Sequence, residues 1–271
     1  MELFQWAKNP WGQDVLIRIS WDLLYLSAIA AGLFIIGHFF LRKKETAGAV
    51  EVSKELAAAI PEKVVRHSFA ARAFHWIMAV SVPVLLFTGF LPVVGIQFGW
   101  VTIHWIAGIA LIVSVLYHII HASIYMRLRD IWISAADFRE WIQELRYASG
   151  KSDQAPPKPG KYPIDHRLFH HMIVITTFGV MITGVLMMFR VETPFWARNP
   201  YLLGDSTWGW VYVIHGLCSV GLVGMTMAHL YFAVLPEKRW ITWSMILGWI
   251  TRKDYVSNHD PERWVVPKGE S

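Results

Sequence analysis

The chain has 271 residues, of which 55% are hydrophobic and 17% charged, and it contains 15 Trp and 15 Phe. A soluble domain carries about a quarter charged residues, so this composition excludes a disordered or fibrous chain and argues against a soluble enzyme. The net charge is +5, but the Lys and Arg residues flank apolar tracts, which argues against nucleic-acid binding. The single cysteine, Cys218, excludes an internal disulfide, a CxxC zinc site and c-type haem attachment.

The chain begins with a mixed, aromatic segment, residues 1–22, without the basic start and cleavage site of a signal peptide. The tract Leu23–Leu41 has no Asp, Glu, Lys or Arg and suits a membrane span, which needs roughly 20 apolar residues. Three basic residues follow, Arg42, Lys43 and Lys44, and they open a polar linker, residues 42–65.

Four further membrane spans are predicted. They cover Ala73–Val94 (interrupted at Pro83 and Pro92), Val101–Met126, Leu168–Phe189 and Trp210–Leu235. Between the third and fourth spans of the chain, residues 127–167 mix aromatic and charged residues, which predicts a helix on the membrane surface and then a loop. Residues 237–271 form a polar tail. The predicted fold class is an all-α integral membrane protein, a bundle of five transmembrane helices.

Basic residues predict the orientation of the spans. The loop between spans two and three has no Lys or Arg, and the loop between spans four and five has Arg190 and Arg198. All other basic clusters near span ends fall on one face of the membrane, which marks that face as cytoplasmic. The sequence therefore predicts a periplasmic amino terminus, a cytoplasmic carboxyl terminus and a bacterial inner-membrane location.

Histidines are concentrated in the spans. Nine of the twelve lie in or at the ends of the tracts: His38, His75, His104, His118, His121, His170, His171, His215 and His229. An ionisable group in lipid is costly and usually functional. A neutral imidazole that binds a metal uses one ring nitrogen, and its other N–H still needs an acceptor.

His215 and His229 form the most informative pair. Their spacing of 14 residues puts them within about 40° on one helix face and about 21 Å apart along its axis. Two stacked haems require such a pair, and Gly216, Gly221 and Gly224 between them would let flat macrocycles approach the backbone.

Each haem needs a second ligand at the same depth. His104 begins the third span level with His215, and His75 begins the second span level with His229. His118 is a rival to His75, because it follows His104 by 14 residues and would face the same way. Periodicity alone does not decide between the two.

Several short motifs accompany these histidines. They are Arg72-Ala-Phe-His75-Trp76, Thr88-Gly89, His104 with Gly108, Gly160-Lys161-Tyr162, Thr183-Gly184-Val185, Ile214-His215, His229-Leu-Tyr and Arg263-Trp264. Together they resemble the cytochrome b (gamma) subunit of respiratory formate dehydrogenase. That family is related to the cytochrome b subunits of nickel-iron hydrogenase and thiosulfate reductase, and the resemblance covers about residues 66–265.

The resemblance implies two b-type haems. It implies that His75 and His229 bind the cytoplasmic haem iron and that His104 and His215 bind the outer one, with no ligand role for His118. It implies a four-helix di-haem core over residues 66–236, so that the span at 23–41 is an additional helix.

One departure concerns the quinone pocket. The family uses Asn, Gly and Gln after Gly-Lys-Tyr, whereas Pro163, Asp165 and His166 stand at those positions here. Asp165 and His166 remain candidates for a quinone site, because quinone reduction consumes protons as well as electrons.

The expected function is electron transfer from a periplasmic partner across the membrane to menaquinone or ubiquinone at the cytoplasmic side. The chain has no cysteine set for an iron–sulfur cluster, so an iron–sulfur subunit and a molybdenum, tungsten or nickel-iron catalytic subunit are the expected partners. The alternatives are a hydrogenase subunit, or a thiosulfate or polysulfide reductase subunit with reverse electron flow. A more distant alternative is a proton-coupled transporter that uses histidine relays without haem.

Overall fold

The computed structural model describes residues 2–41 and 59–266. The helices of that part are α1 (Asp22–Leu41), α2 (Phe69–Phe90), α3 (Trp100–Tyr125), α4 (Ala135–Ala148), α5 (Ile164–Met188), α6 (Asp205–Val234), α7 (Arg239–Leu247) and α8 (Arg252–Asn258). Five of them, α1, α2, α3, α5 and α6, are long and apolar enough to cross a membrane. The predicted helical membrane protein with five spans is confirmed.

The helices differ from the predicted spans at several points. The helix α2 continues through Pro83, so the predicted interruption there was wrong; membrane helices tolerate proline where the freed backbone groups find other partners. The helix α5 begins at Ile164, not Leu168, so Asp165 and His166 lie in its first turn. A carboxylate is stabilised at a helix start, and Asp165 Oδ1 accepts the backbone N–H of His166 at 2.9 Å.

The described residues fall into two compact units. The first contains residues 2–39, 77–115 and 172–231, and the second contains residues 40–41, 59–76, 116–171 and 232–266. The basic residues at 42–44 and most of the predicted linker, together with the end of the predicted tail, lie outside the described residues.

An antiparallel hairpin opens the first unit. Its strands are β1 (Phe4–Lys8) and β2 (Asp14–Ile19), which the sequence analysis did not predict. Leu16 and Ile19 of β2 are buried against α6, where they pack with Val213 and Val220. The hairpin is therefore anchored on the helix that carries His215 and His229.

The additional helix α1 is hydrogen-bonded to α6. Ser27 Oγ donates to the carbonyl oxygen of Val220 at 2.8 Å, and His38 Nδ1 lies 2.9 Å from the hydroxyl of Tyr231. These two contacts lie about three turns apart along α1, so they fix the helix along its length.

A second small sheet organises the second unit. Its strands β3 (Lys63–Val65) and β4 (Trp249–Thr251) pair antiparallel, although they lie far apart in the chain. Val64 and Ile250 from the two strands are buried with Tyr255 and Val256 of α8. This core ties the chain that precedes α2 to the chain that follows α7.

Candidate functional site

Two histidines of the first unit face each other. The rings of His104, on α3, and His215, on α6, have centroids 6.4 Å apart and planes inclined at 60°. Both residues were predicted to form the outer ligand pair, and the structure brings their rings together.

A threonine holds the second nitrogen of each ring. Thr88 Oγ1 lies 2.8 Å from His104 Nδ1, and Thr183 Oγ1 lies 2.9 Å from His215 Nδ1. Each hydroxyl also lies within hydrogen-bond distance of a backbone carbonyl one turn earlier, at 2.6 Å for Thr88 and 2.5 Å for Thr183.

These contacts fix the histidine tautomer. A hydroxyl has one proton, and when it donates that proton to the carbonyl, its oxygen must accept a hydrogen bond from Nδ1–H. The Nε2 of each ring is then unprotonated and carries the lone pair that a metal requires. A ligating histidine ordinarily donates its other N–H in this way.

The two rings lie against glycines. A Cβ atom added at Gly89 would lie 3.6 Å from His104 Cε1, and one added at Gly184 would lie 3.5 Å from His215 Cε1. Those are ordinary van der Waals distances, so a methyl group fits but a larger side chain would displace the ring. In each Thr-Gly pair found in the sequence, the threonine thus supplies a hydroxyl to the imidazole and the adjacent glycine leaves space for its ring.

The spacing of the rings fits a bis-imidazole metal site. Two imidazoles that bind one metal through bonds of about 2 Å, with ~1.2 Å from each nitrogen to its ring centre, would have ring centroids no more than about 6.4 Å apart. The distance between His104 and His215 agrees with that value. Among the described residues, no group of three or more His, Cys, Asp or Glu could hold a metal ion.

A cation stands near the same pair. Arg190 Nη1 donates to the hydroxyl of Tyr212 at 2.5 Å, and its guanidinium lies over the rings of Trp208 and Tyr212. Tyr212 precedes His215 by one helical turn. Arg190 is therefore held against a residue one turn from His215 and could pair with a carboxylate of a group bound there.

The predicted inner ligands lie in different units. His75, on α2, belongs to the second unit, and His229, on α6, belongs to the first. Arg72 Nη1 and Trp76 Nε1 flank His75 and donate to the carbonyl oxygens of Ile246 and Met245, at 2.5 and 3.1 Å. These bonds hold the start of α2 against the end of α7, and the pairing of His75 with His229 stays a prediction.

The rival His118 has a different environment. Its ring is stacked on Phe74, with centroids 4.0 Å apart and planes 9° apart. Its Nδ1 is buried and has no hydrogen-bond partner among the described residues, and the same holds for His121 and His170. His171 Nδ1 lies 2.7 Å from the carbonyl oxygen of Arg167. His118 thus lacks the support that His104 and His215 have.

The quinone candidates stand at the start of α5. Asp165 is exposed and His166 is half-buried. The carboxylate of Asp165 accepts a hydrogen bond from a backbone N–H in its own helical turn. This contact by itself would explain the aspartate as a residue that stabilises the start of the helix.

Sequence reasoning missed a buried cationic cluster nearby. Arg66 is only 2% exposed; its guanidinium lies over Trp240 and its Nη1 is 3.4 Å from His259 Nε2. His259 Nδ1 bonds the carbonyl oxygen of Gly160 at 2.8 Å. The Gly160-Lys161-Tyr162 motif was the available signal, because the carbonyl oxygen of its glycine is the partner of His259.

Burial controls the ionisation of this cluster. It lowers the pKa of Arg66 to about 10, and no described carboxylate pairs with that residue. Burial, with the adjacent charges of Arg66 and Lys161, lowers the pKa of His67 to about 3. Burial likewise lowers the pKa of His259 to about 4. At neutral pH both histidines are neutral, which leaves Arg66 as the main buried charge.

Comparison with known proteins places the chain in a family. A search of curated proteins found no match. A family model described as prokaryotic cytochrome b561 matches residues 66–248, which is 183 of the 271 residues. The match begins after α1 and includes all four histidines that were predicted as haem ligands. The chain belongs to the prokaryotic cytochrome b561 family and is a multi-pass membrane cytochrome of the b type.

Proposed function

We propose that the chain is a di-haem subunit that carries electrons from a periplasmic iron–sulfur partner across the membrane to a quinone on the cytoplasmic side. The facing pair of His104 and His215 is the observation that carries this proposal. Its ring spacing of 6.4 Å and its two threonine partners are what a bis-histidine haem site requires.

Four histidines would hold the two haems. His104 and His215 would bind the outer haem, and His75 and His229 the cytoplasmic one, in agreement with the helical spacing and the family resemblance. A bound haem supplies a carrier that accepts and releases one electron at a time. Thr88 and Thr183 keep the outer imidazoles neutral and oriented, and Arg190 offers a positive charge to a haem carboxylate.

The distribution of basic residues supports the orientation. Residues 1–22 would face the periplasm, and the linker, residues 127–167 and the tail would face the cytoplasm. In this orientation the outer histidine pair lies toward the periplasmic partner. Electrons that move inward against a negative-inside potential cost about 2.3 kcal/mol per 100 mV, so a low-potential donor is required.

Asp165 and His166 would serve the quinone. Both residues occupy the first turn of α5, where a carboxylate and an imidazole would pass protons to a quinone as it is reduced. The buried cluster around Arg66 and His259 contacts the preceding Gly160-Lys161-Tyr162 motif and would hold the backbone of that motif in place.

The favoured partner is a formate dehydrogenase, because the motifs resemble its gamma subunit over about residues 66–265. A nickel-iron hydrogenase or a thiosulfate reductase would use the same histidines and differ in the attached subunits. The transporter alternative is less favoured, because the haem-type pairing of His104 with His215 would then have no role.

The test is to purify the chain from its native membrane with its partners. Mass spectrometry should identify an iron–sulfur subunit and a molybdenum, tungsten or nickel-iron subunit, and formate should reduce the haem absorbance. Asp165→Asn with His166→Gln should leave the haem content unchanged and slow reoxidation by added quinone at least tenfold. Unchanged reoxidation would overturn the quinone site, and purified, folded protein without haem would overturn the proposal as a whole.

A further inference from the structure

We propose that the second unit carries a binding site for the phosphate headgroup of an anionic phospholipid. The site is a groove of about 450 Å³ between α4 and the chain that follows it. Three exposed cations, Arg139, Arg146 and Lys151, line it together with neutral side chains such as Gln143 and Gln154. This inference concerns a surface apart from the proposed haem and quinone residues.

The groove exists because the chain reverses at the end of α4. Gly150 has a φ of +72°, in the left-handed region that favours glycine. The N–H of Lys151 donates to the carbonyl oxygen of Arg146 at 2.8 Å, and the N–H of Gly150 donates to that of Tyr147 at 3.0 Å, the two bonds of a Schellman motif. The chain then returns along the helix, where Gln143 Nε2 lies 3.5 Å from the carbonyl oxygen of Ala155.

The helix α4 has three chemically different faces. At roughly 100° per residue, Phe138, Ile142 and Leu145 share one face, and all three are exposed. Arg139 and Arg146 share the neighbouring face, next to Gln143. An apolar face beside a basic face is the pattern of a helix that lies in the membrane interface.

The acidic face is already used. Asp137 pairs with Arg167 at 2.7 Å, and Glu140 accepts two hydrogen bonds from Arg263 at 2.8 and 2.9 Å. These bonds hold α4 against the start of α5 and the end of the chain, and they leave its basic and apolar faces turned outward. The ion pairs thus fix the direction in which the groove opens.

The cations of the groove lack acidic partners. Within the described part of the chain, no carboxylate forms an ion pair with Arg139, Arg146 or Lys151. Asp153 lies between two lining residues but is not itself part of the lining. The lining of the groove therefore has three positive charges and no carboxylate, which suits a bound phosphate.

A membrane lipid is the source of phosphate that this position favours. In the chain, the helix α4 follows the membrane-spanning helix α3 and precedes the membrane-spanning helix α5. Its exposed apolar residues adjoin the groove. A lipid could place its phosphate among the cations while its acyl chains follow Phe138 and Leu145. Basic interfacial segments attract anionic lipids of the cytoplasmic leaflet, the face on which the basic residues place α4.

The experiment measures lipid binding to the full chain in detergent by native mass spectrometry. Dioleoyl phosphatidylglycerol and dioleoyl phosphatidylcholine are titrated separately, and inorganic phosphate is added as a competitor. We expect the unaltered protein to bind phosphatidylglycerol at least tenfold more tightly than phosphatidylcholine. Each neutralised cation should weaken binding about fivefold, so Arg139→Gln/Arg146→Gln/Lys151→Gln should lose about 100-fold.

A matched variant distinguishes binding in the groove from general electrostatic attraction to the positively charged protein. Arg129→Gln/Arg239→Gln/Lys253→Gln removes three exposed cations that do not line the groove and should keep nearly all of the phosphatidylglycerol affinity. Equal loss in both variants, or equal affinity for the two lipids, would overturn the proposal. Displacement of the lipid by millimolar phosphate would overturn the lipid as ligand and leave a free-phosphate site. Lys151→Gln alone, a loop substitution that spares the helix, should still lose about fivefold.

Discussion

His104 and His215, in the first unit, differ from His118 and His170, in the second, in what their Nδ1 atoms contact. In the first unit, Thr88 and Thr183 bind Nδ1 of His104 and His215. In the second unit, Nδ1 of His118 and of His170 is buried without a partner among the described residues. Leaving a buried polar atom unpaired costs about 1–3 kcal/mol, so the second arrangement is not optimised for a fixed tautomer. The difference favours His104 and His215 over His118 and His170 in the proposed assignment of haem ligands.

The largest effect should come from removing a ligand. His215→Ala takes away one axial nitrogen of the outer pair, so the purified variant should contain about one haem per chain instead of about two. His118→Ala is the control, because it removes an intramembrane histidine without a proposed ligand role, and it should keep both haems. Equal haem loss in the two variants, measured by the pyridine haemochromogen assay, would abolish the distinction between His215 and His118.

A smaller effect should follow from removing the partner of a ligand. Thr183→Val preserves the shape of the side chain but deletes the oxygen that accepts Nδ1–H of His215, so haem affinity should fall about 10- to 100-fold. Thr176→Val is the control on the same helix, since Thr176 Oγ1 donates only to backbone carbonyls of its own turn, at 2.8 and 3.2 Å. Haem titration into the apo-protein measures both. If Thr176→Val weakened haem binding as much, the hydrogen bond would not be the cause.

Replacing His118 should have the opposite effect from replacing a proposed ligand. His118→Phe removes an unpaired buried nitrogen and keeps an aromatic ring to stack on Phe74. The free energy of unfolding should stay level or rise by about 1 kcal/mol, with unchanged haem content. Thermal unfolding in detergent tests this prediction, and a clear loss of stability or of haem would show that His118 has a polar partner or a ligand role.

The smallest effect concerns the attachment of α4 in the second unit. Burial raises the pKa of Asp137, but hydrogen bonds from Arg167 and Ser134 outweigh it and lower the pKa to about 2. Because the folded pKa lies below the ordinary value of 3.8, the stabilisation is present above about pH 4 and is lost as the pH falls through about 2.

Amide hydrogen exchange in α4 checks this prediction. Asp137→Asn at pH 7 should exchange a few-fold faster than the unaltered chain, because a partly exposed pair contributes about 1 kcal/mol or less. Exchange in the α3 and α6 segments around His104 and His215 should not change. Equal exchange of α4 in both proteins would show that the ion pair does not hold the helix.

Local periodicity predicted the spans well, because each is a long uncharged tract. The 14-residue spacing of His215 and His229 and the level of His104 required only helical geometry, and the structure brings His104 and His215 together. The role of Thr88 and Thr183 was not predictable from their own helices. It depends on contacts between residues 16 and 32 positions apart in the chain.

The hairpin and the buried cluster were harder to predict for the same reason. The strand β2 is short, and it becomes buried only because Leu16 and Ile19 meet α6. Arg66 and His259 are separated by 193 residues, and a buried arginine has no signature in composition. Residues of this kind are identified by tertiary contacts and not by patterns along the chain.

The central claim is that four intramembrane histidines hold two b-type haems, and haem stoichiometry tests it most directly. The pyridine haemochromogen assay on the detergent-purified chain with its partners should give close to two b-type haems per chain. His104→Ala and His75→Ala should each reduce that number to about one. Folded protein with no haem, or with two haems that survive both substitutions, would contradict the account.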